Sequence, residues 1–153
     1  MLNRLQTVRS YRGDAEDRTR AAEAADSVLA YVRDYDPLTF AEVLLSLPPA
    51  FRATGECELA LQGRPNVVLW SGLSLAAADL LCTLFNEQQM WLQICTPALY
   101  RSALRDSPRM TAVASVPVDP QRECWLPCTI GTAGMVGLNS EWSICVRERL
   151  PRS

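Results

Sequence analysis

Apolar side chains recur at helical spacing over residues 14–35. Ala21, Ala25, Val28, Leu29 and Val32 share one stripe, while Arg18, Glu23, Asp26 and Arg33 can face water. Acids crowd the first turn after Asp14, which suits the positive end of a helix dipole. The pattern predicts a long helix over residues 14–36, preceded by a tail over 1–13. Its stripe is narrow and alanine-rich, so it can pack on the rest of the chain or pair with another chain.

A second, shorter helix is expected over 38–47. Thr39 and Glu42 read as a capping box, Phe40, Val43, Leu44 and Leu47 make the apolar face, and Pro48-Pro49 ends it. Cys57 to Leu61 alternates like a strand. Residues 62–66 read as a turn, and Val67 to Trp70 as another strand. Ser74 stands where an N-cap would start the helix Leu75 to Gln88. From Met90 the period changes to that of strands. Met90 to Thr96, Ala112 to Val118 and Cys124 to Ile130 are the expected strands, with Pro117 and Pro127 implying edges or bulges. Pro97 to Arg109 is a helical turn or an ordered loop. Gly131 to Gly137 reads as a connector, and Glu141 to Val146 as a last strand before a basic tail.

This order predicts a single small α+β domain. Residues 37–131 form its core, and 132–153 form a C-terminal extension with a last strand. Over roughly residues 38–130, the order short helix, strand, helix, β-hairpin resembles the winged-helix layout, in topology only. That resemblance implies a DNA-binding role. One departure is visible, since the short helix that normally precedes the recognition helix has no clear segment.

The 153-residue chain has 48% apolar and 21% charged residues, which is ordinary globular composition. It has no histidine, and all its basic residues are arginine. Without histidine, Ser-His-Asp and Cys-His catalysis and mixed Cys/His zinc sites cannot be built. Without lysine there is no Schiff base and no P-loop lysine. A net charge of −2 provides no global field for nucleic acid. The N-terminal residues lack the apolar run of a signal peptide, and no stretch is long enough to span a bilayer, so a cytoplasmic protein with reduced thiols is expected.

Several clusters carry candidate chemistry. Arg101, Arg105 and Arg109 fall at i, i+4, i+8, and Arg122 in a later turn can join them to contact phosphates. Asp106, Asp119 and Glu123 dilute that charge and Pro108 disturbs the helix, so a solvated surface with local ion pairs is the preferred reading. Of the helix Leu75 to Gln88, only Asp79, Thr83, Asn86 and Glu87 form a polar face. Its acids oppose phosphate, so this is a core helix rather than a DNA reader. Cys124 and Cys128 share a strand face and are expected to be buried thiols, with only Cys145 nearby. Trp70, Trp91, Trp125 and Tyr100 sit inside apolar runs and are expected in the core. Ser71 and Ser74 lie at a strand-to-helix turn, where capping is the plain role. The acidic pairs Asp34/Asp36 and Glu56/Glu58 fit a solvent face as well as a site.

The expectation is a non-enzymatic interaction module without a cofactor or metal. Its partner is a protein or a second copy, met through the stripe Ala21, Ala25, Val28, Leu29 and Val32. The alternative is a winged-helix-like DNA-binding regulator that touches phosphates through residues 101–122.

Overall fold

A computed structural model describes residues 15–48, 51–103, 107–118, 121–132 and 136–149. The chain has the α+β class expected. Helix α1 (Ala15–Tyr35) buries Ala24, Val28 and Val32, one residue per turn, against α2, α3 and β6. The stripe offered above to a partner is thus enclosed by the chain's own core. Val28 and Val32 have no exposed surface, and Ala25 and Leu29 pack against the same cluster, leaving Ala21 half-buried at the margin. Helix α2 (Phe40–Leu44) starts in the expected capping box: the Glu42 amide donates to Thr39 Oγ1 at 3.2 Å, and the Thr39 amide to Glu42 Oε1 at 2.9 Å. It closes early because the amides of Leu45, Ser46 and Leu47 bond three residues back.

Strands β1 (Thr54–Leu61) and β2 (Arg64–Leu73) form an antiparallel hairpin longer than the two expected runs. Helix α3 (Leu75–Asn86) follows, capped by Ser74 Oγ accepting from the Ala77 amide at 3.0 Å. It is the central core helix, packed on β1, β2, β7 and α1. Even Asp79, expected on a solvent face, is only 5% exposed, because α1 and the sheet enclose the helix from two sides.

The remaining strands are β3 (Trp91–Ile94), β4 (Thr111–Ala112), β5 (Cys124–Trp125), β6 (Cys128–Gly131) and β7 (Ile144–Glu148). A 3-10 helix (Pro97–Ala103) and a short helix α4 (Leu138–Glu141) lie between them. A five-stranded mixed sheet has the order β4-β5-β2-β1-β7, with β5 parallel to both β2 and β4, and β3 pairs with β6 in a small second sheet. The winged-helix order does not carry over. Among the described residues, the strands after α3 form no hairpin with each other, since β3 pairs with β6 and β4 with β5.

The single strand expected over 124–130 is divided at Leu126-Pro127. Proline has no N–H for a ladder, and the chain leaves one sheet for the other there. Cys124 and Cys128 are both buried, as expected, but in different sheets rather than on one strand face. The strand expected over 112–118 shrinks to Thr111–Ala112. The extension expected over 132–153 supplies β7, which pairs with β1 from Cys57↔Glu148 to Leu61↔Ile144.

Two asparagines fasten this C-terminal part. Asn139, buried, accepts from the Leu92 amide at 2.9 Å and donates to the carbonyls of Phe85 and Met90 at 2.8 Å each. Asn86 bonds both main-chain groups of Ile144, at 2.8 and 2.9 Å. Trp70, Trp125 and Tyr100 are core, as expected, whereas Trp91 is not part of it. Tyr100 lies 5.2 Å from both Trp70 and Trp125, and its hydroxyl accepts from the Phe40 amide and donates to the Cys128 carbonyl at 2.6 Å. Trp91 is half-buried.

Candidate functional site

The start of β1 and the end of β2 meet the N-terminus of α3. Ser74 ties this junction, donating from Oγ to the Arg52 carbonyl at 2.6 Å and from its amide to the Ala53 carbonyl at 2.8 Å. The approach is so close that Gly55 has no room for a side chain: a Cβ there would stand 2.7 Å from Ser74 Cα. Gly72 turns with φ +75°, a conformation glycine adopts without strain. The Thr54–Cys57 segment is bulged, with both Thr54 and Cys57 of β1 opposite Leu73 of β2.

Beyond the junction a cleft of about 450 Å³ opens. It is lined by Glu56, Cys57 and Glu58 of β1, Ser71 and Gly72 of β2, Ser107, Arg109, Met110 and, after β7, Arg149. Its wall contains a carboxylate with no exposed surface, Glu58. Such a burial is costly unless the charge is paired and hydrogen-bonded. Arg149 supplies both, with Nε 3.2 Å from Oε2 and Nη2 3.0 Å from Oε2 and 3.2 Å from Oε1. Arg147, opposite Glu58 in the strand register, adds an Nε contact at 3.5 Å. Glu123 Oε2 joins both arginines, at 2.6 Å from Arg149 and 3.5 Å from Arg147. Burial alone would lower the Arg149 pKa. Its bonds to Glu123 and Glu58 outweigh that and hold it above the ordinary value.

A second depression of about 360 Å³ shares Ser71 and Gly72 with this cleft. Its other lining is apolar: Ala41, Leu44 and Leu45 of and after α2, Ala53, and the edge of Trp70, with Thr54. Leu45 is 79% exposed. The two depressions adjoin at Ser71 and Gly72 and together border β1 at Thr54 and at Glu56 to Glu58; the pair is the groove along β1.

Of the arginines singled out by spacing, Arg109 lines this groove. Arg101, on the 3-10 helix, and Arg122 are exposed and line neither part of it, and Arg105 lies outside the described residues. Glu56 and Glu58 do not share a solvent face: Glu56 is exposed and Glu58 is enclosed by the arginines of β7 and its end. Asp36 is structural, its Oδ2 accepting from the Thr132 amide at 3.1 Å, while Asp34 stands exposed.

Local reading missed Arg147 and Arg149, placed in a basic tail. Their spacing of two along a strand, matching Glu56 and Glu58 on β1, was the available signal. The Cys57 thiol in the cleft is pushed above its ordinary value by burial, then by Glu148, Glu56 and Glu58, so it stays protonated at neutral pH. Ser71 has no histidine to activate it, because the chain contains none. Among the described residues, no group of three or more His, Cys, Asp or Glu could hold a metal, and no helix is long and apolar enough to cross a membrane. The arrangement fixes charges of both signs beside an apolar surface, which is chemistry for binding. In comparisons with known proteins, the chain matches no family model, no curated protein and no solved structure.

Proposed function

We propose that this chain is a non-enzymatic interaction module that binds protein through the groove along β1. The observation that carries this reading is that a mixed-charge cleft and an apolar depression share Ser71 and Gly72. A protein surface has both kinds of complement, whereas a phosphate polymer would meet Glu56 and the Glu58–Glu123 acids as well as the arginines. Covering Leu45 on docking contributes about 1.5–3 kcal/mol, tenfold or more in affinity. Six cysteines in the thiol form are in keeping with a reducing compartment such as the cytoplasm.

The test is selection of a displayed library of random short peptides on the full chain. Enriched peptides should bind Leu45→Asp at least tenfold more weakly than the parent. Failure to enrich any peptide, or binding indifferent to Leu45→Asp, would remove the groove from the reading. Duplex DNA bound at low salt, and released by Arg101→Ala with Arg109→Ala, would replace this reading with the regulator alternative.

A further inference from the structure

We infer that the occupant of this groove is a second copy of the same chain, related by a twofold axis and joined by reciprocal Glu56–Arg109 pairs. The inference rests on the groove being a protein-binding surface. Of the cleft's charges, Glu58 and Arg149 are committed to each other, with Glu123 and Arg147 completing the network. Glu56 and Arg109 line the same cleft, are both exposed, and have no side-chain hydrogen bond or ion pair among the described residues.

The uncommitted set is therefore one acid and one base. A twofold contact presents the same patch twice, so any group facing another is faced by it in return. One acid and one base in a single patch satisfy that condition without help from another protein. Glu56 of each copy meets Arg109 of the other, and Leu45, at the apolar end of the same groove, gains cover. The net charge of −2 opposes such an approach little. Exposed ion pairs contribute modestly, so the dimer is a weak one, with a dissociation constant on the order of 1 µM to 1 mM.

Sedimentation velocity over that concentration range, on the full chain, tests it. The parent should reach twice the monomer mass. Arg109→Glu alone and Glu56→Lys alone should each raise the dissociation constant at least tenfold, because each sets like charges face to face. An equimolar mixture of the two variants should dimerise again, since their reversed charges complement across the contact. A parent that stays monomeric would overturn the inference while leaving the groove reading to the peptide selection. A dimer unaffected by either variant, or single variants not rescued by mixing, would also overturn it.

Discussion

Leu59 and Glu58 are neighbours on β1, neither has exposed surface, and they point to opposite faces of the sheet. On the Leu59 side, α3 covers the sheet with Leu81, Phe85 and their neighbours, and burial is met by contacts that need no particular direction. On the Glu58 side, burial is met by directed bonds from Arg147 and Arg149, which must arrive from β7 and its end, about ninety residues away in sequence. The first face depends on volume, the second on a set of partners being complete.

The sharpest separation comes from removing one group on each side. Leu81→Ala leaves a cavity on the apolar face and should cost about 3 kcal/mol, read as a lower urea midpoint at unchanged slope. Glu58→Gln strips the charge from the ionic face. It should cost about 2 kcal/mol, less than for a wholly buried pair because Arg147 and Arg149 are about a third exposed. Replacing Glu58 with Leu and both arginines with Met together should cost less than about 1 kcal/mol, because no charge is left buried: the one partner charge remaining, Glu123, is about a third exposed to water. If the triple replacement costs more than the single one, the contrast between the faces is wrong.

A smaller effect distinguishes the faces by pH. Burial raises the thiol pKa values of Cys57, Cys124 and Cys128 above the ordinary 9.0, and raises that of the Tyr100 phenol. The unfolded chain then loses these protons before the folded one does. Their stabilising contribution is whole below about pH 9 and declines as pH rises beyond it. The melting temperature should fall from pH 9 to pH 11, and less steeply in Cys128→Ala, whose most enclosed thiol is gone. Arg149, which Glu123 and Glu58 hold above the ordinary arginine value against the pull of burial, keeps its charge across that range, so the fall belongs to the buried thiols and phenol, and equal slopes for parent and variant would remove Cys128 from that account.

The same contrast explains what was readable in the chain. The long first helix, the Thr39–Glu42 box, the Ser74 cap and the core status of α3 all follow from residues within a few positions of one another. The enclosure of Glu58, the parallel pairing of β5 and the integration of β7 depend on which distant strands meet. Local alternation says that Glu56 and Glu58 share a face, but not that one will be covered and the other left in water. In the same way, the stripe on α1 was visible, whereas its burial by this chain's own β6 and α3 was not.

Asn86 has a consequence of a different kind. Its side-chain amide stands beside Ile144 as a strand's peptide group would, occupying the outward N–H and C=O of that residue. An approaching strand from another molecule has nothing to bond at this point of β7. A single residue at the end of a helix thus acts as a stopper against open-ended ladder growth, and restricts lateral accretion of chains at the beginning of this strand.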